Sequence, residues 1–219
     1  MQNNICLSAE SVRLLCESDP ILKDLIHLIG DVEHKSDVDY FESLAMSIIG
    51  QQLSSKAAAT IRNRVQCLCS DKVTASSIIS LSHDQLRAAG VSHAKIMYLK
   101  DLAEKVLTEQ LDFSSIRDWD NEEVIKRLTE VKGIGKWTAE MFLIFALGRT
   151  NVMSYADAGL QRAAKWLYNL PEHPKSNYLQ QVDHAWSPFQ SVVSLYLWEA
   201  IDRGYVDSGK SLSDILDTN

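Results

Sequence analysis

Apolar side chains recur at helical spacing along most of this chain. Three series show the pattern: Ala58, Ile61, Val65 and Leu68; Ile96, Leu99, Leu102, Ala103 and Val106; and Leu160, Ala164 and Leu167. Side chains three or four positions apart lie on one face of an α-helix, so each series predicts an amphipathic helix with a buried stripe. Turn and capping signals such as Ser18-Asp19-Pro20 interrupt the series. The pattern predicts an all-α protein of about ten short helices.

The composition is that of an ordinary globular protein. Of the 219 residues, 46% are hydrophobic and 23% are charged, which excludes a disordered or fibrous chain. The longest apolar run, from Met141 to Leu147, is far too short to span a membrane. The N-terminus lacks the basic and apolar regions of a secretory signal, so we expect a location in the cytoplasm, at a bacterial nucleoid, or in a nucleus.

The four cysteines do not have the spacing of a zinc site, and no pair of histidines completes one. We therefore expect Cys6, Cys16, Cys67 and Cys69 to be reduced and mostly buried thiols.

The net charge of −7 argues against a nucleic-acid partner, because Lys and Arg neutralise phosphate groups. The charge is segregated, however. Residues 1–50 carry three basic and nine acidic side chains, whereas residues 51–100 carry seven basic and two acidic ones. A basic segment within an acidic chain leaves an anionic partner possible.

The most informative segment is a predicted hairpin motif at residues 122–147. One helical pattern runs to Leu128, and a second begins at Lys136, with Gly133-Ile134-Gly135 between them. Two glycines permit positive φ in a tight turn and let backbone N–H groups approach an anion. The N-terminus of the second helix adds N–H donors, so a phosphate is the expected ligand and Lys136 would reinforce it. In the alternative interpretation, the glycines only connect two packed helices.

In this segment the sequence resembles the helix-hairpin-helix DNA glycosylases, in which L-x-x-V-x-G-I-G-x-W-T-A marks the hairpin. The most similar branch is that of DNA-3-methyladenine glycosylase II, the alkylation-repair enzymes. Further matches occur in the same order at residues 42–58, at 86–103, and at Trp186-Ser-Pro followed by Tyr196-Leu-Trp198, and the resemblance spans roughly residues 12–203. It implies one glycosylase unit over residues 1–219, with two helical lobes flanking a central cleft.

The resemblance places a catalytic carboxylate at Asp157, about twenty residues beyond the hairpin. Cleavage of an N-glycosidic bond builds positive charge on the deoxyribose, which a fixed anion stabilises while water attacks. Asp157 could instead serve only as the cap of the helix that follows. The family usually has Pro and a second Asp in this stretch, where this chain has Ser154 and Ala156.

Bifunctional members of the superfamily carry a lysine nucleophile just after the hairpin, and this chain has Trp137 there. Tryptophan cannot form a Schiff base, so we expect a monofunctional enzyme that uses water and leaves an abasic site. Several relatives also hold an iron–sulfur cluster on four cysteines after the catalytic region. No cysteine follows Cys69 in this chain, so we expect no such cluster and no required cofactor.

The resemblance also implies how the base would be held. Trp137, Trp198 and Met141 match positions that line the base pocket, and an indole face attracts a cationic alkylated purine by roughly 0.5–2 kcal/mol. We expect Trp166 and Trp186 to pack in the core instead. Gln51, Gln52 and Leu53 match a loop that fills the gap left by the flipped base, with Gln52 or Leu53 as the wedge. An ordinary helix-linking loop is the alternative. Where the family often has Arg after the W-x-P element, this chain has Gln190.

The remaining predicted contacts lie around the hairpin. Thr138 joins Gly133, Gly135 and Lys136 as a predicted DNA-binding residue. Relatives bind a monovalent cation through backbone carbonyls that match Thr129, Val131 and Ile134, so a structural Na⁺ or K⁺ is expected there.

The sequence therefore predicts a monomeric, monofunctional glycosylase that excises alkylated purines such as 3-methyladenine and 7-methylguanine from damaged double-stranded DNA. We hypothesise that residues 51–100 and the hairpin amides form its DNA face. The alternatives are a non-catalytic helix-hairpin-helix DNA-binding protein and a glycosylase for other damaged bases.

Overall fold

The computed structural model of the chain describes residues 9–32, 39–173 and 177–218. Within these ranges the secondary structure is helical and contains no strand, which confirms the all-α prediction. The helices are α1 (Ala9–Ser18), α2 (Pro20–Ile29), α3 (Tyr40–Gly50), α4 (Ser55–Leu68), α5 (Ala75–Ser80), α6 (His83–Ala88), α7 (His93–Leu107), α8 (Asn121–Thr129), α9 (Lys136–Phe145), α10 (Ala158–Leu167), α11 (Tyr178–Val182), α12 (Gln190–Asp202) and α13 (Leu212–Leu216), with a 3-10 helix at Asp183–Ala185.

Most of these helices begin at a polar residue whose side chain accepts a hydrogen bond from a backbone N–H group of the first turn. The capping residues are Asp19, Asp39, Ser54, Thr74, Ser82, Ser92, Asp120, Asp157, Asn177 and Ser211. Such caps satisfy N–H groups that have no partner within the helix. Helix α9 differs, because its N-cap is Gly135 and no side chain caps it.

The chain divides into two compact units. The central unit comprises residues 37–146, with α3 to α9, and the discontinuous unit comprises residues 1–36 and 147–219, with the remaining helices. These limits could not be inferred from the sequence, because the discontinuous unit combines segments from both ends of the chain.

Helices α3, α7 and α9 supply much of the core of the central unit. Helix α3 alone buries Phe41, Leu44, Ala45, Ile48 and Ile49. At the N-terminal end of α3, the Tyr40 ring forms a cluster with Phe142 and Phe113, at centroid separations of 5.6 and 6.0 Å, and the two phenylalanine rings are 6.4 Å apart. Edge-to-face and offset aromatic contacts of this kind are favourable and have defined geometry. The core thus fixes the C-terminal end of α3 and the helix of the hairpin motif.

A buried carboxylate organises the discontinuous unit. One oxygen of Asp19 accepts the backbone N–H groups of Ile21 and Leu22 at the start of α2, at 3.1 and 3.0 Å. The other oxygen accepts the Trp186 indole N–H at 3.1 Å and the Tyr168 hydroxyl. Because four donors converge on this side chain, it joins the N-terminal and C-terminal segments of the unit.

Trp186 is fully buried, which confirms its predicted place in the core. Trp166 is only half-buried, so the corresponding prediction is wrong for this residue. Its indole N–H donates to the carbonyl oxygen of Lys210 at 2.9 Å, which explains why the ring lies at the edge of the unit.

The prediction of mostly buried thiols is wrong for the described cysteines. Cys69 is buried, whereas Cys16 is intermediate and Cys67 is exposed; Cys6 lies outside the described residues. Cys69 lies four positions after the buried Val65 and shares its face of the helix, whereas Cys67 lies on the opposite face.

In the part of the chain that the structure describes, no helix is long and apolar enough to cross a membrane.

Candidate functional site

The hairpin lies between α8, which ends at Thr129, and α9, which begins at Lys136. Gly133 has φ +80°, and a Cβ atom there would lie 2.1 Å from Cδ2 of Tyr98. Both the backbone conformation and the close approach of the ring therefore require glycine at this position. The backbone N–H of Ile134 donates to the carbonyl oxygen of Val131 at 3.1 Å and closes the turn.

The backbone conformation of Gly135 differs from the positive φ that the sequence predicted for the hairpin glycines. Its φ is −93°, so it does not need glycine for its backbone conformation, and a Cβ atom there would meet no protein atom within 4 Å. The absence of a side chain instead leaves the first turn of α9 open. The N–H groups of that turn and the positive end of the helix dipole can accept an anion such as a phosphate.

Lys136 and Thr138 occupy contrasting positions in the first turn of α9. Lys136 is exposed, and its Nζ lies 3.7 Å from Oε1 of the buried Glu140. Thr138 is 6% exposed and lines a small cavity. Lys136 is thus accessible to an anionic partner, whereas a DNA contact of Thr138 stays a prediction.

That cavity has a volume of about 120 Å³ and lies between α3 and α9. It is lined by Ser43, Leu44, Ser47, Thr138, Met141, Phe142 and Phe145. Met141, predicted for the base pocket, therefore has hydroxyl-bearing and aromatic neighbours. Trp137 precedes these residues on α9 and is 46% exposed.

The predicted wedge loop follows α3 and is directly connected to the hairpin. The Gln51 side chain donates from Nε2 to the carbonyl oxygen of Gly133 at 2.8 Å. Gln52 has φ +55°, an unusual value for a residue other than glycine, and both Gln52 and Leu53 are exposed. The structure thus brings the wedge loop and the hairpin together, while the amide of Gln51 is bonded within the protein.

Helix α7 supports both elements, and this support was not predicted from the sequence. Lys95 donates from Nζ to the carbonyl oxygens of Ile49 and Gln51, at 2.9 and 2.7 Å. Asp101 accepts the backbone N–H of Lys132 at 2.9 Å. Both residues fall within the segment 86–103, which matches the family, and Lys95 also belongs to the basic segment 51–100.

The basic segment 51–100 also has a structural role, and its predicted place in the DNA face stays a prediction. Four of its seven basic side chains donate to backbone carbonyl oxygens inside the central unit: Arg62 to Met46, Arg87 to Val91, Lys95 to Ile49 and Gln51, and Lys100 to Ile78, Ile79 and Leu81. Lys56, Arg64 and Lys72 are exposed. The positive charge of the segment therefore stabilises helix ends as well as any DNA face.

Asp157 belongs to the discontinuous unit and is 8% exposed. Its Oδ1 accepts the backbone N–H of Leu160 at 2.8 Å, so it caps α10 as the alternative interpretation required. Capping and catalysis are compatible, because a carboxylate has four lone-pair sites. A Cβ atom at Gly159 would lie 3.1 Å from Asp157 Oδ1, so only glycine leaves the carboxylate undisturbed.

The loop before Asp157 is held in place despite its departures from the family pattern. The carbonyl oxygen of Ser154 accepts the backbone N–H of Asp157 at 3.0 Å. Ser191 donates to the carbonyl oxygen of Val152 and accepts its N–H, at 3.2 and 3.0 Å. The Ser154 and Ala156 substitutions therefore do not leave the loop without support.

Tyr155, two residues before Asp157, is part of a polar network. Its hydroxyl donates to Asp183, and the Gln190 amide donates to Asp183 at 3.3 Å. Burial and the contact with the Asp183 carboxylate raise the pKa of Tyr155. Gln190 thus takes part in anchoring the loop at the position where the family often has Arg.

The predicted site residues are distributed over both units. Trp137 and Met141 belong to the central unit, whereas Asp157 and the half-buried Trp198 belong to the discontinuous unit. Among the described residues, no group of three or more His, Cys, Asp or Glu side chains could hold a metal ion.

Comparison with known proteins identifies several relatives. The profile of the HhH-GPD superfamily of base excision DNA repair proteins matches residues 45–188. The chain is 33% identical to DNA-3-methyladenine glycosylase 1 of Schizosaccharomyces pombe over 183 residues, which are 81% of this chain and 80% of the relative. The crystal structure of a DNA-3-methyladenine glycosidase from Bacillus halodurans is 38% identical, with a TM-score of 0.85, and covers 96% of this chain and 97% of its own. The 3-methyladenine DNA glycosylase of S. pombe in complex with abasic DNA is 32% identical, with a TM-score of 0.79, over 89% of this chain and 97% of its own.

Proposed function

The chain belongs to the HhH-GPD superfamily of base excision DNA repair proteins, and on that premise we propose that it excises alkylated purines from damaged double-stranded DNA. The observation that carries the proposal is the burial and orientation of the Asp157 side chain. This carboxylate is buried and oriented by a backbone hydrogen bond, and its position in the sequence supports the catalytic role expected from the resemblance to DNA-3-methyladenine glycosylases.

DNA binding begins at the open first turn of α9. Its backbone N–H groups and Lys136 bind a phosphate of the DNA backbone, which orients the protein without reading sequence. Within residues 51–100 only three of the seven basic side chains are left for further phosphate contacts, because the other four are bonded to carbonyl oxygens of the protein. Modest non-specific affinity follows, and it suits a protein that scans DNA for damage.

The lesion then leaves the base stack. Gln52 or Leu53 fills the gap, which compensates for the lost stacking of the flipped base. Trp137 and Trp198 hold the base, and a cationic alkylated purine gains additional attraction to an indole face. Met141, which lines the small cavity of the central unit with Ser43, Ser47 and Thr138, is a further proposed base-pocket residue.

Hydrolysis breaks the bond between C1′ of the deoxyribose and the purine nitrogen. As the base departs with the bonding electron pair, positive charge develops on the sugar, and the Asp157 carboxylate stabilises it. Water adds to C1′ and loses a proton, which leaves an abasic site and the free base. Trp137 stands in place of a lysine nucleophile, so no covalent enzyme–DNA intermediate forms.

A monovalent cation at the hairpin belongs to the same proposal. Thr129 is the last residue of α8, and the carbonyl groups at the end of a helix lack partners within it. The Val131 carbonyl oxygen accepts one hydrogen bond and retains a second lone pair. Together with the Ile134 carbonyl oxygen, these oxygens would hold Na⁺ or K⁺, and the ion would supply positive charge for binding DNA.

We also propose that the protein acts as a monomer on nucleoid or nuclear DNA.

A base-release assay distinguishes the proposed glycosylase from a non-catalytic DNA-binding protein with the same hairpin. Purified protein incubated with methylated duplex DNA is expected to release free 3-methyladenine and to give no adduct with borohydride. DNA binding without base release would favour the non-catalytic alternative, and an adduct would contradict the monofunctional mechanism. Duplexes with single lesions then define which bases are excised.

A further inference from the structure

We propose that Lys95 is a positioning residue that holds the wedge loop, Gln51–Leu53, in the conformation needed to probe DNA. The inference rests on the proposed function and extends it to a side chain that lies outside the hairpin, the wedge loop and the base pocket. It is carried by the hydrogen bonds that the Lys95 ammonium group makes where α3 ends and the wedge loop begins.

The Lys95 ammonium group caps the C-terminal end of α3. Its Nζ donates to the carbonyl oxygens of Ile49 and Gln51, at 2.9 and 2.7 Å. The last carbonyl groups of a helix have no partner within it, and the negative end of the helix dipole attracts a cation. Lys95 is half-buried, and this burial lowers the pKa of its ammonium group.

The conformation of the wedge loop needs such support. The backbone of Gln52 is in the left-handed region at φ +55°. A residue other than glycine keeps this conformation when the surrounding structure holds it there. Lys95 fixes the carbonyl oxygen immediately before Gln52, and the Gln51 side chain fixes the loop to Gly133. The N–H of Leu53 donates to the carbonyl oxygen of Gly50 at 3.2 Å. The exposed Gln52 side chain is therefore presented by a backbone that is held on both sides.

The hydrogen bonds of Lys95 and Gln51 form one continuous path from α7 through the wedge loop to the hairpin. Tyr98 extends the support, because its ring packs directly against Gly133. The element that would grip the phosphate and the element that would fill the gap are thus set at a fixed distance by α7. Loss of Lys95 is expected to leave the hairpin intact and to release the wedge loop.

Lys100 provides a matched control on the same helix. Its Nζ donates to the carbonyl oxygens of Ile78, Ile79 and Leu81, at 2.8, 2.9 and 2.6 Å, and so caps the C-terminal end of α5. Lys100 is likewise half-buried, and burial lowers its pKa. The two lysines therefore have the same structural chemistry, but only Lys95 contacts the wedge loop.

The experiment compares Lys95→Met, Lys100→Met and the wild type. The readout is the ratio of affinities for a duplex with one tetrahydrofuran abasic-site analogue and for the undamaged duplex of the same sequence. Both variants are expected to lower the melting temperature by similar amounts. Only Lys95→Met is expected to reduce the affinity ratio, by about tenfold. An unchanged ratio in Lys95→Met, or an equal loss in Lys100→Met, would overturn the proposal.

A protein in which both wedge residues are replaced tests whether Lys95 acts through the wedge loop or through the stability of the whole protein. In a Gln52→Ala, Leu53→Ala protein the wedge is absent, so adding Lys95→Met is expected to change the ratio by less than about twofold. A full additional loss in that background would show that Lys95 acts elsewhere and would overturn the proposal. Lys95→Gln, which keeps an N–H donor group but loses the charge, is expected to give an intermediate ratio and serves if the Met variant does not fold.

Assays of the wild-type protein separate a failure of the role of Lys95 from a failure of the proposed function. If it releases methylated bases but Lys95→Met keeps the wild-type affinity ratio, only the role of Lys95 is wrong. If the wild type neither releases base nor prefers the abasic analogue, the proposed function fails and the role of Lys95 fails with it.

Discussion

The side-chain amide of Gln51 donates a 2.8 Å hydrogen bond to the carbonyl oxygen of Gly133, 82 residues further along the chain. This bond joins the wedge loop to the hairpin. The two elements that would contact DNA are therefore built as one piece of the central unit, and a change at the hairpin glycines is transmitted to both.

Substitution of Gly133 is expected to damage the fold. A Cβ atom there would overlap the Tyr98 ring, at 2.1 Å from Cδ2, in a backbone conformation with φ +80°. The left-handed conformation and the overpacking together predict a loss of about 2–4 kcal/mol for Gly133→Ala. Thermal unfolding should show a melting temperature lower by roughly 5–10 °C.

Gly135→Ser is the matched substitution with the opposite expectation. Serine is a favoured N-cap residue, and no protein atom obstructs a Cβ atom at this position, so stability is expected to change by less than about 1 kcal/mol. The new side chain would instead occupy the approach to the first turn of α9. Affinity for duplex DNA is expected to fall by about tenfold. Unchanged DNA binding by a folded Gly135→Ser protein would place the phosphate contact elsewhere.

The sequence predicted the elements of this structure better than it predicted how individual residues are used. Helical periodicity and capping residues depend on neighbours close in the chain, so the all-α fold and the position of the hairpin followed from local patterns. The different φ values of Gly133 and Gly135 depend on Tyr98 and on the start of α9, which no local pattern records. The hairpin was therefore predicted correctly with the wrong reason for one of its glycines.

Lys95 illustrates what the sequence could not provide at the candidate site. A lysine within a basic segment indicates a possible phosphate contact, and only the folded chain shows that its ammonium group caps α3. Asp157 is the contrasting case. Its capping role could be anticipated from the helix that follows, whereas its catalytic role came from the family resemblance and stays a prediction.

Lys136 is expected to contribute one phosphate contact. Lys136→Ala should weaken binding equally for all DNA sequences and should reduce the slope of log affinity against log salt by about 1. Lys126→Ala is the matched control, because both lysines are about equally exposed and each lies 3.7 Å from a glutamate. The control should leave the salt slope unchanged. A sequence-selective loss in Lys136→Ala would argue against a phosphate contact.

Stability above neutral pH is expected to depend on Tyr168. Burial and its hydrogen bond to Asp19 raise the pKa of Tyr168, so the folded protein keeps the phenolic proton when the unfolded chain, with a pKa near 10, loses it. The contribution of this group is complete below about pH 10 and declines above it, by about 1.4 kcal/mol per pH unit.

Tyr168→Phe removes this dependence. The variant is expected to be less stable than the wild type at pH 7, because Asp19 loses a donor, and to lose stability less steeply between pH 10 and 11. Chemical denaturation at several pH values measures both slopes. Tyr155 and Tyr196, whose pKa values are also raised, contribute equally in the two proteins. Parallel stability curves would show that Tyr168 does not hold its proton as described.

The Asp157 carboxylate is expected to act in catalysis as well as to cap α10. Asp157→Asn separates the two roles, because an asparagine oxygen can still accept the Leu160 N–H, whereas the negative charge is lost. Asp120→Asn is the control, since Asp120 caps α8 in the same way, with a 2.8 Å hydrogen bond from Glu123.

The decisive measurement is the single-turnover rate of 3-methyladenine release from methylated duplex DNA. We expect Asp157→Asn to release base at least about 100-fold more slowly than the wild type. Its melting temperature and its affinity for abasic-analogue DNA should stay close to those of the wild type, and Asp120→Asn should remain active. Release of 3-methyladenine by Asp157→Asn at the wild-type rate would contradict the catalytic role of Asp157.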